Sequence, residues 1–335
     1  MFTSHLGRIA AGQDLSLAEM TEVIDQVMSG GVPEGEIAVL LTALRAKGET
    51  ADEIAGAALA LRGRMTPIRT SRVGLVDTCG TGGDGSGTFN ISTAAAIVAA
   101  AAGVPVAKHG NRSITSKSGS ADVLAALGVR VEAPVPVVER CLDELGISFC
   151  FAPHLHPAMK HVAPVRKKLG FPTIFNLLGP LCNPAGAPFQ VLGVGKRELH
   201  RTLADVLARL KIERAVVVHG SDGLDEVTLA GPTEVHEVRG SVVTTSVWRP
   251  EDFSLVPAGK ETMLIDGPQA SAAIIRRVLA GEAGPPRDVV VLNAAAAIWT
   301  ATGNLSPRDC AARAAQAIDS GAAANLLARW AALTA

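Results

Sequence analysis

The chain has 335 residues, of which 48% are hydrophobic and 19% charged, with a formal net charge of −1. That length supports a substantial core in one large or two modest domains, and the near-neutral balance excludes a global field that would recruit nucleic acid or an anionic membrane. Five scattered cysteines without a C-x-x-C pair, and no uninterrupted apolar run of membrane-spanning length, argue for reduced thiols in a cytoplasmic protein with no membrane segment.

The N-terminal stretch MFTSHLGRIA lacks the basic-then-apolar layout of a signal peptide. Residues 1–67 read as an all-helical domain. Ser16-Leu17-Ala18-Glu19 is a capping box whose helix stops at Gly30-Gly31. Pro33 begins the next helix, with Ile37, Leu40, Leu41 and Leu44 at helical spacing and an end near Gly48. Thr50-Ala51-Asp52-Glu53 is a second capping box, and its helix ends before Thr66-Pro67. No catalytic constellation appears here, which suits a packing surface within the chain or between subunits.

From residue 72 to 335 short apolar strands alternate with helices, the signature of an α/β domain with a central, mostly parallel sheet. Strands are expected at 73–76, 104–107, 147–151, 190–194 and 215–218, and β character at 234–248. Helices are expected at 94–102, 120–127, 135–145, 157–169 and 198–210, followed by a helical tail from Pro268.

Four stretches carry chemistry. The first, Asp77 to Thr93 (DTCGTGGDGSGTFNIST), places five glycines between a strand and a buried helix. Few Cβ atoms block the approach of its backbone N–H groups, and Ser92 and Thr93 sit where the helix begins, so the stretch reads as a phosphate cradle. Gly80 to Gly85 also matches the G-x-G-x-x-G dinucleotide fingerprint. Here, however, the helix opens late, and the position that should carry a ribose-binding acid lies in VPVAK, ending in Lys108. The second, KHGNRSITSKSGS (108–120), follows a strand with Lys108, Arg112 and Lys117 among hydroxyls and glycines, a set suited to a polyanion such as pyrophosphate. The third, GSDGLDEVT (220–228), presents Asp225-Glu226. Magnesium is commonly held by one or two carboxylates plus water and substrate phosphates, which fits an acidic pair facing two anion loops.

The fourth runs from His154 to Asn183. Arg166 has the planar fork to grip a carboxylate, whereas Lys167 and Lys168 read as a solvated face. His154, His156 and His161 match no standard zinc spacing, and Cys79 adjoins no dedicated base, so it reads as a small packing residue.

Together GTGGD (80–84), NIST (90–93), KHGNR (108–112), SGSADVL (118–124), HPAMKHVAPVR (156–166), FNLLGPLCNP (175–184) and DGLDEVT (222–228) closely resemble the anthranilate phosphoribosyltransferase family, in order along nearly the whole chain. The resemblance implies a small N-terminal helical domain plus a larger α/β domain of the nucleoside phosphorylase/phosphoribosyltransferase type. It implies transfer of phosphoribosyl from phosphoribosyl pyrophosphate (PRPP) to anthranilate in tryptophan biosynthesis, a Mg²⁺ requirement and a homodimer formed through the helical domain. For PRPP it implies Gly80, Gly83, Asp84, Thr88, Asn90, Ile91, Ser92 and Thr93 in the first loop. The second wall is Lys108, His109, Gly110, Asn111, Arg112, Ser113, Ile114, Thr115 and Ser116, with Ser120. Anthranilate falls to Gly80, Asn111 and Arg166, with His109 beside them, and the metal to Ser92, Asp225 and Glu226. No dedicated acid or base is implied; catalysis rests on positioning. The nearest rival, a nucleoside phosphorylase of the same fold, needs no acidic metal pair.

Overall fold

The computed structural model describes residues 2–112 and 118–335. Four helices open the chain: α1 (Phe2–Ala10), α2 (Leu17–Met28), α3 (Glu34–Lys47) and α4 (Ala51–Arg62). Both capping boxes form, with Ser16 and Thr50 accepting from the N–H groups of Glu19 and Glu53. Glu53 is fully buried, and its carboxylate also takes the Leu15 N–H at 3.1 Å and the Lys47 ammonium at 2.9 Å. One cap therefore ties three segments of the bundle together.

The α/β part follows in the order β1 (Val76–Gly80), α5 (Ile91–Ala101), β2 (Val106–Gly110), α6 (Ser120–Ala126), α7 (Val135–Leu145), β3 (Ile147–Phe151), α8 (Ala152–Leu155), α9 (Ala163–Leu169), α10 (Phe175–Leu178), β4 (Phe189–Gly193), α11 (Arg197–Arg209), β5 (Arg214–Gly220), β6 (Thr233–Arg239) and β7 (Val242–Trp248). The tail is α12 (Pro268–Leu279), α13 (Pro285–Thr302), α14 (Pro307–Asp319) and α15 (Ala322–Thr334). The strands form one sheet in the order β3-β2-β1-β4-β5-β6-β7. The first five are parallel, and β6 and β7 run antiparallel at one edge.

Alternate residues of each strand face opposite layers. On β5, Val216 and Val218 join a core with α5, α13, α14 and α15, while Ala215 and Val217 join a second core with the N-terminal bundle and α11. That second core also takes in Val165 of α9 and Phe175 and Leu178 of α10, so chain from beyond β3 completes the helical layer.

Three expected boundaries move. The first strand starts at Val76 rather than at residue 73, because Gly74 takes a left-handed φ of +73° and Val73 is left 86% exposed. The second starts at Val106 rather than at 104, because the Val104 N–H still bonds back to Ala99 at the end of α5. The single helix expected at 157–169 is two pieces, a 3₁₀ turn at Pro157–His161 and then α9. Pro164 has no N–H to donate, so it is accommodated only in the first turn of a new helix.

Helices α2 and α4 cross closely at Gly56, where a Cβ would lie 2.4 Å from the Leu17 carbonyl oxygen. Gly to Ala inside a helix ordinarily gains about 1 kcal/mol of propensity, but overpacking against backbone costs about 1–3 kcal/mol. The contact decides the sign: Gly56→Ala is expected to lower the melting temperature, and an unchanged or raised value in a thermal melt contradicts this packing.

Candidate active site

The strand order reverses between β1 and β4. The chain leaves β1 toward β2 and β3, then returns to the other side of β1, and the carboxyl ends of such strands border the binding crevice of open α/β sheets. Here the two strands end on a registered pair of glycines, Gly80↔Gly193. Neither could carry a side chain. A Cβ on Gly80 would lie 2.5 Å from Asp225 Oδ2, and one on Gly193 would lie 1.7 Å from the Asp225 carbonyl oxygen. The acidic loop after β5 therefore sits directly on the ends of β1 and β4.

Two bonds join that loop to the glycine loop. Gly82 N–H donates to Asp225 Oδ2 at 3.0 Å, and Ser92 N–H donates to Glu226 Oε1 at 3.1 Å. Below, Asn293 of α13 accepts from the Val227 N–H and donates to the Val227 carbonyl, each at 2.9 Å. Burial raises both carboxyls, with the charge of Asp84 next in importance at Asp225 and that of Asp225 at Glu226; they are pushed up to about 7 and about 8. The Asp225-Glu226 pair, buried beside a glycine loop, suits a divalent cation, whose charge would offset the burial and mutual repulsion that raise both carboxyls.

Lys108 lies in the same place. It is only 2% exposed, and its ammonium donates to the Thr78 carbonyl and, at 3.2 Å, to Ser92 Oγ. Burial lowers its pKa, opposed by the nearby carboxyls of Asp77, Glu226 and Asp225. Three stretches distant in sequence thus meet at Gly80, Ser92, Lys108, Asp225 and Glu226.

Other expected residues divide. Asn90 caps α5, its Oδ1 accepting from the Thr93 N–H at 3.1 Å. The start of α5 is thus partly occupied: the Ser92 and Thr93 amides, expected to be free for an anion, bond to Glu226 and Asn90. Ile91 and Thr93 are each 1% exposed and pack inward. Gly83 has a φ of +78° and nothing near its Cβ direction, leaving its backbone open to a ligand. Thr88 pairs with Leu264, Asp84 Oδ1 accepts from the Ser86 N–H, and Gly110 packs against Ser120 Oγ. Arg112 is occupied by Glu132 at 2.8 Å and Asp122 at 3.3 Å, and Asn111 Oδ1 accepts the Arg112 N–H. Ser113, Ile114, Thr115, Ser116 and Lys117 lie outside the described residues.

On the side of the helical layer, Arg166 is half-buried, donates to Asn176 Oδ1 at 3.3 Å and lies 5.8 Å from the Phe175 ring centre. Burial lowers its pKa, and among the described residues no carboxylate pairs with it. His109 bonds through Nδ1 to the Gly179 carbonyl at 2.8 Å. Because a carbonyl only accepts, that nitrogen carries the proton, and Nε2 accepts from His156 Nε2 at 3.1 Å. Burial pushes the two rings down to about 3 and about 4, so both are neutral. His154 instead packs edge-on to Phe151, and His161 lies against Gly30.

Sequence reasoning missed Gly193 and Asn293. Their signals were a glycine near the end of the apolar strand expected at 190–194 and a single amide inside the apolar run VVLNAAAAIW.

The helical bundle domain model of a glycosyl transferase family matches residues 3–65, and the a/b domain model of that family matches residues 72–324. Anthranilate phosphoribosyltransferase of Moorella thermoacetica is 51% identical, covering 98% of this chain and 96% of the relative. That of Rhodospirillum rubrum is 53% identical over 98% and 94%. The crystal structure of the Thermus thermophilus anthranilate phosphoribosyltransferase superposes with a TM-score of 0.92, at 45% identity and 98% coverage of each chain. The Saccharomyces cerevisiae enzyme in complex with PRPP and Mg superposes with a TM-score of 0.90, at 29% identity and coverages of 99% and 97%. The chain belongs to this glycosyl transferase family and, within it, to the anthranilate phosphoribosyltransferases.

Proposed function

We propose that the chain moves the phosphoribosyl group of PRPP onto the amine of anthranilate and releases pyrophosphate. The observation that carries this reading is the seat of the acidic loop on the two strand-end glycines, which brings Asp225, Glu226, Ser92 and the buried Lys108 together. The glycine loop supplies unobstructed backbone N–H groups beside it.

Asp225 and Glu226, with Ser92, would hold Mg²⁺, the donor's phosphates and water completing the shell. Bound there, the ion supplies positive charge that stabilises the departing pyrophosphate. Lys108 adds fixed positive charge on the same side, in a site too buried for water to screen it. The ribose oxygen stabilises positive charge at the anomeric carbon, so bond breaking runs ahead of bond making. The anthranilate amine is already neutral near pH 7 and needs no strong base to become a nucleophile. Alignment is the remaining task, and it falls to Arg166. Its guanidinium is held by Asn176 and Phe175 and has no carboxylate of its own among the described residues, so it takes that of anthranilate. Gly80, Asn111 and His109 would complete the acceptor side.

We also propose that two copies pair through the outer face of the helical bundle, where Val39 and Leu59 are exposed. All five cysteines are free thiols, which suits the reducing cytoplasm.

Loss of anthranilate fluorescence is expected only when protein, PRPP, Mg²⁺ and anthranilate are all present; signal without PRPP or Mg²⁺ rules the reading out. Arg166→Ala should raise the anthranilate KM about tenfold or more, as expected from losing one charge-assisted pair, with a much smaller change for PRPP. An equal rise in both contradicts the assigned role. The raised carboxyls give a pH signature. Without metal the folded chain keeps protons that the unfolded chain has lost, so its stability falls as pH rises from about 5 through 8. Mg²⁺ must displace those protons, so its binding with PRPP should tighten from pH 6 to 8 and release protons in calorimetry. Affinity flat across that range would remove the carboxyls from the metal site.

A further inference from the structure

The ladder between β1 and β2 is nearly missing. β2 registers with β3 over five residues and β1 with β4 over five, whereas β1 and β2 share one registered pair, Val76↔Val106. Past that pair the two strands remain neighbours in the sheet but share no further registered pair. Backbone groups buried where the ladder lapses still need partners, and three side chains provide them. Asp77 Oδ1 accepts the His109 N–H at 3.1 Å. Asn183 Nδ2 donates to the Ala107 carbonyl at 2.7 Å and to Asp77 Oδ2 at 2.8 Å. Lys108 Nζ donates to the Thr78 carbonyl. Asp77, Lys108 and Asn183 are 1%, 2% and 8% exposed. Burying a carboxylate and an ammonium is costly, and a completed ladder flanked by apolar side chains would join the strands without it. The arrangement serves placement rather than stability.

What these bridges place lies on both sides of the transfer. On the donor side, Lys108 Nζ emerges against Ser92 Oγ. On the acceptor side, His109 is locked to the Gly179 carbonyl, and Asn183 Oδ1 accepts the Ala185 N–H at 2.9 Å, fixing the turn that follows Gly179. Asp77 is bonded to the strand that carries Lys108 and His109 and, through Asn183, to the turn that follows Gly179. We infer that Asp77 and Asn183 are positioning residues for the reaction: they bridge β1 and β2 where the ladder lapses, so that the cation for the leaving pyrophosphate and the wall that receives anthranilate keep a fixed spacing. The inference rests on the transferase reading above.

Asp77→Asn keeps the shape and the oxygen facing His109 but sets two amide donors against each other. It should lower kcat by about tenfold to a hundredfold, the scale of an ångström misplacement. The Kd for Mg–PRPP by calorimetry should change by less than about threefold, since an interaction used for alignment is lost rather than one used for binding. If Asp77→Asn fails to fold, Asn183→Ala, which leaves the Asp77–His109 bond intact, is read in the same way. Wild-type kcat in a folded variant, or a loss of kcat matched by a loss of donor binding, overturns the inference. Failure of the unaltered protein to bind Mg–PRPP would instead overturn the transferase reading.

Discussion

The structure depends on one steric permission: two neighbouring parallel strands both end on glycine, so Asp225 can rest its backbone on one and its carboxylate on the other. Gly80 and Gly193 leave no Cβ between the sheet and Asp225. The placing of the acidic pair follows from that approach. Asp225 reaches the Gly82 amide, Glu226 reaches the Ser92 amide, and burial, with the charge of Asp84 second, raises the Asp225 carboxyl. Asn293 then fixes the acidic loop from below, so the carboxyls are placed before any ligand arrives.

The helical layer contributes differently. Its core is continuous with α9, α10 and one face of β4 and β5. Arg166 stands on α9, against Asn176 and Phe175. The residues proposed for the acceptor and for the donor thus come from different layers, joined through β2, where Lys108 meets Ser92 and His109 bonds to Gly179.

Much of this was legible from the residues alone. The capping boxes at Ser16 and Thr50 formed as read, because capping is local chemistry within four residues. The α/β alternation and the three loops at strand ends were readable because glycines, hydroxyls and charges cluster there. The displaced strand starts were not. Val73 looks like strand until Gly74 turns left-handed, and Val104 looks like strand until its amide is spent on α5. The occupied amides of Ser92 and Thr93 and the amide pin at Asn293 depend on partners far away in sequence, as do the buried Asp77 and Asn183. No window of the chain reveals who meets whom across the sheet.

The strand order has a consequence for how the molecule is made. A nascent chain completes β1, β2 and β3 well before β4 leaves the ribosome, because β4 begins only at Phe189. Until then one flank of β1 has no neighbour, and the carboxyls that sit on it have not been synthesised. Parallel pairings over such separations form slowly, and open strand flanks invite wrong partners. Translation therefore leaves an interval in which the unfinished α/β half is vulnerable to association with other chains, and a folding helper that shields this flank would act there.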